Sequence, residues 1–207
     1  IMRQKRIKYV NIELLEEHGV ITKVAPLKIP KDKNVYLEIG CGKGQFITSL
    51  ARANPDVLFI AMEVNLYVIY RVLEKKLEDN IDNLMIVLAD AKYLETYFEN
   101  QKIDGLYLNF SDPWPKAKHH KRRLTYPSFL RLYLKVLKKD AFLQFRTDHL
   151  DLFNDSIDYI EPYFQLFEIN YELEPSKFMT EYEVKKRALG PIYQLKGKVI
   201  QDDFKNI

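Results

Sequence analysis

Val35-Tyr36-Leu37-Glu38-Ile39-Gly40-Cys41-Gly42-Lys43-Gly44 joins an almost continuous apolar run to three glycines in five positions, in a 207-residue chain with only seven glycines. A run of that kind suits a strand buried on both faces of a parallel sheet. The glycines after it permit positive φ and let a ligand approach the backbone closely. Similar runs recur at 58–63, 84–90, 105–110 and 141–147. Helical spacing separates them, as over 64–80, where Leu66, Ile69, Tyr70, Leu73 and Leu77 share a face. Strand and helix in alternation predict an α/β fold with a doubly wound, mostly parallel sheet.

The end of the chain breaks this rhythm. Residues 165–171 and 192–199 both read as strands, with Thr180-Glu181-Tyr182-Glu183 between them as a loop leading into a short helix. They are expected to close the sheet as an antiparallel C-terminal edge hairpin. The aromatic group Tyr159, Tyr163, Phe164, Phe167 and Tyr171 is expected to be core. No repeat or linker divides the chain, so one domain over 1–207 is expected, with a basic N-terminal extension at 1–30 and a catalytic core at 31–200.

Composition excludes several classes. With 47% hydrophobic and 29% charged residues the chain reads as an ordinary globular protein. No apolar run approaches a membrane span, and no signal-peptide core is visible, so a cytoplasmic protein without a membrane role is expected. The single cysteine, Cys41, allows no internal disulfide, and no His, Cys or carboxylate spacing calls for a metal. A net charge of +3 says little by itself, but the cations are clustered at Arg3, Lys5, Arg6 and Lys8 and again at 116–123.

Ligands of doubly wound sheets bind beyond the carboxyl ends of the strands. Gly40 to Gly44, Glu63, Asp90, Asp112 and Asp148 fall there. A nicotinamide fingerprint would need a glycine at position 45, which is Gln45, and no Walker A run exists. Glu63 is placed to accept hydrogen bonds from a ribose diol, and Asp90 to accept them from an exocyclic amine. So acidic a rim fits an adenosine-containing cofactor with a cationic or uncharged tail better than a dinucleotide.

The second informative stretch is Asn109-Phe110-Ser111-Asp112-Pro113-Trp114-Pro115-Lys116, followed by Lys118, His119, His120, Lys121, Arg122 and Arg123. Two prolines stop the sheet and hold Asp112 at its rim. An acid there, beside a basic loop, suits a site that holds a nucleic acid and acts on it. Trp114 is expected to pack beneath this loop or to stack on a base.

On these residues the chain resembles the class I S-adenosylmethionine-dependent methyltransferases, with 38–44 as their first motif. More closely it resembles the bacterial tRNA (guanine-N7)-methyltransferases, through 110–116, Lys121-Arg122-Arg123-Leu124, Arg146-Thr147-Asp148 and 180–183. The resemblance implies a Rossmann-like core and methyl transfer to N7 of a guanine in the tRNA variable loop. It implies that Glu38, Gly40, Gly42, Gly44, Glu63, Asp90, Ala91 and Asp112 surround S-adenosylmethionine, with Asp112 catalytic. Lys116, Asp148, Thr180, Glu181, Tyr182 and Glu183 would hold the target nucleotide, and Lys118, His119, His120, Lys121, Arg122 and Arg123 the RNA. Small departures occur at Ala117-Lys118-His119 and at Arg146 and His149, where the family commonly has Lys-Arg-His and a Lys and Asn. The partner implied is tRNA, bound by a monomer or homodimer. Alternatives are methylation of another RNA site or a non-catalytic RNA-binding subunit.

The chemistry sets its own requirements. Guanine N7 carries a lone pair and no proton, so none of His18, His119, His120 and His149 is needed as a base. Alignment of nucleophile, methyl and leaving group is what remains. A carboxylate is the natural reader of the guanine N1–H and N2 amine, and Asp148, Glu183 and Asp112 compete for that part. If ~4 phosphates are neutralised by the basic loop, the salt slope of log affinity is roughly −3 for unpaired strands.

Overall fold

In the computed structural model, which describes residues 6–200, the run at 35–39 becomes the third strand of a seven-stranded sheet. Arg3 and Lys5 of the N-terminal basic cluster lie outside the described residues. The strands are β1 (Val35–Ile39), β2 (Leu58–Glu63), β3 (Leu84–Leu88), β4 (Ile103–Asn109), β5 (Leu137–Thr147), β6 (Phe164–Asn170) and β7 (Tyr193–Val199). Their spatial order is β3-β2-β1-β4-β5-β7-β6. The first five run parallel; β7 lies antiparallel between β5 and β6. The expected sheet and its antiparallel C-terminal edge are both present.

Helices cover both faces. Leu15 of α1 (Ile12–Glu17), Phe46 and Ile47 of α2 (Gln45–Ala53), and Ile69, Val72 and Leu73 of α3 (Leu66–Glu78) pack on one side with Phe59 and Tyr107. On the other side lie Tyr97 of α4 (Leu94–Tyr97), Tyr133 of α5 (Pro127–Val136) and Phe153 of α6 (Leu150–Ile160), with Leu37, Ile60 and Leu143. None of the described helices is long and apolar enough to cross a membrane.

Several boundaries differ from the sequence reading. Helix α3 starts at Leu66 because the Asn65 side chain caps it, accepting from the amides of Tyr67 and Val68. Its buried stripe is Val68, Ile69, Val72 and Leu73, and Leu77 is exposed. Strand β3 stops at Leu88, two residues before Asp90, which instead caps a 3-10 turn at Ala91–Tyr93. Strand β5 begins earlier than expected, at Leu137, and carries a bulge in its pairing with β4. Past the bulge Gly105 faces Phe142, where a Cβ would sit 2.3 Å from the ring. In the stretch assigned to the N-terminal extension, Leu15, Val20 and Leu27 are buried and Ile21 bridges to Val87.

The aromatic group at the end is only partly core. Phe164 is buried, but Phe167 is 57% and Tyr171 49% exposed. As the edge strand, β6 buries one face and turns Phe167 and Ile169 outward.

Candidate active site

The glycine turn hangs on the end of β2. The amides of Gly40 and Cys41 both donate to the Met62 carbonyl, at 2.8 and 3.1 Å. Gly40, Gly42 and Gly44 have φ of 70°, 56° and 79°. Open space lies where a Cβ of Gly40 or Gly42 would go, whereas one on Gly44 would stand 2.9 Å from both methyls of Val72. The first two glycines therefore keep the backbone approachable, and the third lets α2 sit against α3. Cys41 is buried inside the turn, where burial holds its thiol well above the ordinary value.

Glu63 organises this turn. Its Oε1 accepts from the amides of Val64 and Asn65, at 2.8 and 3.0 Å, and its Oε2 from Gly42 at 3.2 Å. Burial raises its pKa and these three amides oppose the rise. Oε2 retains a lone pair for a ribose hydroxyl. Asp112 lies near enough to add to the upward shift.

Glu38 is fully buried. One oxygen accepts from Asn109 Nδ2 at 2.8 Å and the other, Oε2, has no partner among the described residues. Burial pushes its carboxyl up to about 8, against the pull of Asn109 and Arg146. Asn109 Oδ1 and Ser111 Oγ are likewise buried without partners. Unsatisfied acceptors beside an open glycine cradle fit a ligand that carries positive charge and donors, as S-adenosylmethionine does. Asp90 is half exposed; its Oδ1 accepts from the Lys92 amide at 2.9 Å, and Ala91 behind it is buried.

A cavity of about 200 Å³ lies between the glycine turn, Asn109 and Phe110 on one side and Thr180, Glu181 and Tyr182 on the other. The expected short helix is α7 (Glu181–Lys186), with Thr180 Oγ1 accepting from the Glu183 amide at 2.9 Å as its cap. The Tyr182 ring rests on Phe110, 5.2 Å between centroids. Phe110 and Trp114 both have positive φ, 52° and 41°, strain that non-glycine residues concentrate at functional turns. A larger depression of about 510 Å³ lies elsewhere, between Arg52, Asp79 and Asn83. There Arg52 pairs with Asp79, and Asn83 Nδ2 donates to three carbonyls.

Two expected contacts take other parts. Glu183 is 0% exposed, its carboxylate held by Arg146 Nη1 at 3.3 Å and Arg187 Nη2 at 2.6 Å. These pairs fix α7 to β5. Arg123 is 2% exposed. Its Nε donates to the Pro113 carbonyl at 2.8 Å, Nη1 to Asp155 at 2.5 Å and Nη2 to His120 Nε2 at 2.9 Å. It faces inward, away from any phosphate, and occupies His120 as an acceptor. Lys116, Lys118, Lys121 and Arg122 remain exposed around the 3-10 turn Ala117–Arg122. Arg122 lies 4.8 Å from the Trp114 ring centre, with the His119 ring edge-on to the same indole. Trp114 thus packs within the loop. Asp148 stands at the end of β5, 3.0 Å from Lys186 of α7.

The sequence reading gave Asn109 and Arg146 no part of their own and did not name Arg187, yet all three hold site residues in place. Arg146 Nε donates to Gln194 at 2.6 Å and Nη1 to the Phe178 carbonyl at 2.9 Å. An arginine inside an apolar strand was the signal, since a buried guanidinium must have partners. Among the described residues no group of three or more His, Cys, Asp or Glu is placed to hold a metal ion.

Comparison with known proteins agrees with this geometry. A family model described as "Putative methyltransferase" matches residues 32–195. A tRNA (guanine-N(7)-)-methyltransferase of Staphylococcus carnosus (strain TM300) is 42% identical over 174 residues, 81% of this chain and 82% of that protein. One from Lactobacillus delbrueckii subsp. bulgaricus is 41% identical over 212 residues, covering 94% and 97% of the two chains. Among solved structures, the 16S rRNA methyltransferase KamB superposes with a TM-score of 0.63 at 18% identity, over 95% of this chain and 97% of that one. That likeness shows the shared fold. With its glycine turn, acidic rim and Ser-Asp-Pro-Trp-Pro turn in place, the chain belongs to the tRNA (guanine-N7)-methyltransferase family of class I S-adenosylmethionine-dependent methyltransferases.

Proposed function

We propose that this protein transfers the methyl group of S-adenosylmethionine to N7 of a guanine in the variable loop of tRNA. The observation that carries the reading is the 41–42% identity with tRNA (guanine-N(7)-)-methyltransferases over most of both chains. The cofactor supplies an electrophilic methyl on a sulfonium. The residues of the chain bind, orient and exclude water. Gly40, Gly42 and Gly44 give the backbone cradle, Glu63 takes the ribose hydroxyls, and Glu38 offers its unpartnered oxygen to a cationic or donor group. Asp90 and Ala91 border the adenine, and Asp112 faces the methyl transfer from the end of β4.

Asp148 reads the guanine edge. Two observations support this choice over Glu183 and Asp112: Glu183 is already engaged by two arginines, and Asp148 presents its carboxylate at the rim beside α7. Methylation makes the base cationic and its N1–H more acidic, so a carboxylate on that edge binds the transition state more strongly than the ground state. Thr180 keeps its hydroxyl proton for donation, since its oxygen is what caps α7. Tyr182, 40% exposed on Phe110, offers a ring face to the base. Lys116, Lys118, Lys121 and Arg122 take backbone phosphates, fixing register without reading sequence. The acidic rim and the cationic loop belong to one chain, so a monomer suffices and a homodimer needs no shared residue. A tRNA substrate places the reaction in the cytoplasm.

The test is methyl transfer from labelled S-adenosylmethionine to an unmodified tRNA transcript and to one carrying 7-deazaguanine. Incorporation that vanishes with the deaza base is the expected result. Incorporation that survives it moves the acceptor atom. Cofactor binding without any transfer would favour an RNA-binding subunit.

A further inference from the structure

Glu181 lines the cavity and is tied to the wall formed by the glycine turn and α3. Its Oε1 lies 3.1 Å from Lys75 Nζ on α3, and its Oε2 3.5 Å from Lys43 Nζ in the glycine turn. Lys75 Nζ also donates to the Lys43 carbonyl at 3.0 Å. Three separate parts of the chain therefore meet at one carboxylate: the cofactor turn, the helix behind it and α7. Burial pushes the Glu181 carboxyl up, but Lys75 and Lys43 outweigh it and hold it below its ordinary value.

We propose that Glu181, Lys43 and Lys75 form a clasp that keeps the first turn of α7 closed over the glycine turn and has to open for cofactor to enter and leave. Glu181 is then a positioning residue that sets cofactor residence, and it makes no contact with the target base. The cavity beneath α7 is about 200 Å³, smaller than the roughly 300–1,000 Å³ of pockets that engulf a whole ligand. Exchange of a molecule the size of S-adenosylmethionine is then expected to need the first turn of α7, Thr180 to Tyr182, to move aside while Glu183 stays anchored to Arg146 and Arg187. Two contacts hold that turn, the clasp and Tyr182 on Phe110. The clasp is partly exposed, with side-chain accessibilities of 41, 25 and 36% for Lys43, Lys75 and Glu181. Such pairs are individually weak and salt-sensitive, which suits a contact that opens each turnover. The same turn carries Thr180 and Tyr182, so opening the clasp also displaces the acceptor side. Cofactor occupancy and acceptor geometry are coupled through one side chain.

The inference rests on the cofactor site described above, and the experiment separates the two. Tritiated S-adenosylhomocysteine is bound to the full chain and its release is chased with unlabelled ligand, for the unaltered protein, Glu181→Gln, Lys75→Met and the double variant. Release is expected to be roughly fivefold faster in Glu181→Gln, with an unchanged melting temperature. The double variant is expected to release no faster than Glu181→Gln alone, because the two side chains act as one unit. Raising KCl is expected to speed release from the unaltered protein and to leave Glu181→Gln unmoved. Unchanged release in Glu181→Gln, with a raised KM for tRNA, overturns the clasp and returns Glu181 to the nucleotide. Effects of the two substitutions that simply multiply overturn it as well. Failure of the unaltered protein to bind S-adenosylhomocysteine removes both the clasp and the cofactor site.

Discussion

Glu38 accepts a 2.8 Å hydrogen bond from Asn109 with one carboxylate oxygen and buries the other with no partner among the described residues. Its carboxyl, pushed up to about 8 by burial, holds a proton at neutral pH in the free protein. The folded chain binds that proton more tightly than the unfolded chain, whose value is the ordinary 4.5. Stability without cofactor is therefore expected to fall as pH rises from about 4.5 to about 8, and then to level off. A cationic ligand favours the ionised form, so its binding at pH 7 is expected to release a proton. Calorimetry in buffers of different ionisation enthalpy reads that proton directly. In Glu38→Gln both the release and this pH dependence of melting should disappear.

Arg123 and Lys121 are close neighbours in the basic loop with opposite fates. Arg123→Ala removes three hydrogen bonds from a buried guanidinium and is expected to destabilise the fold by about 2–3 kcal/mol, measured by urea unfolding. Lys121→Ala is expected to leave stability within about 0.5 kcal/mol. Its effect should appear in tRNA binding, as a salt slope shallower by about 1.

Gly44→Ala places a Cβ at φ 79° and 2.9 Å from both Val72 methyls. A destabilisation of about 1–3 kcal/mol is expected, with weaker binding of S-adenosylhomocysteine as α2 is displaced. Binding that stays unchanged would mean that Val72 yields and the turn does not.

Asp148→Asn and Glu183→Gln separate reading from holding. The Asp148–Lys186 pair is partly exposed, so its loss should change stability by less than about 1 kcal/mol. The single-turnover rate should fall by roughly 5- to 150-fold, the equivalent of about 1–3 kcal/mol of base recognition. Glu183→Gln leaves Arg146 and Arg187 facing each other without their shared carboxylate, and is expected to destabilise by about 3–5 kcal/mol. A rate loss in Glu183→Gln without a loss of stability would restore it as a base contact.

These pairs also show what the sequence could reveal. Strands β1 to β4 were legible because an apolar run buried on both faces has little other use, and the glycines, prolines and acids after each run mark its end. The strand ends in turn located Gly40, Glu63, Asp112 and Asp148. Inward and outward charges were not separable. Arg122 and Arg123 are adjacent cations in a cationic run, yet only Arg123 meets Asp155, more than thirty residues away in sequence. Glu181 and Glu183 likewise differ only in which partners the fold brings to them, Lys75 for one and Arg146 for the other. Phe167 failed for a related reason: hydrophobicity marks a strand, but position at the sheet edge decides which face is covered.

The insertion of β7 between β5 and β6 bears on how the protein is made. Strands β1 to β5 find all their parallel partners among themselves, and the glycine turn with its acidic rim lies within them. The outer edge of β5 then stays unpaired, and β6 has nothing to join, until residues Tyr193–Val199 have been synthesised. Helix α7 lies between β6 and β7 in the chain, so the acceptor half of the site is seated by the last strand added. A chain that lacks β7 is therefore expected to have its cofactor half in place before its acceptor half. Over that interval β5 offers a bare hydrogen-bonding edge, the part of this protein most exposed to mispairing during synthesis.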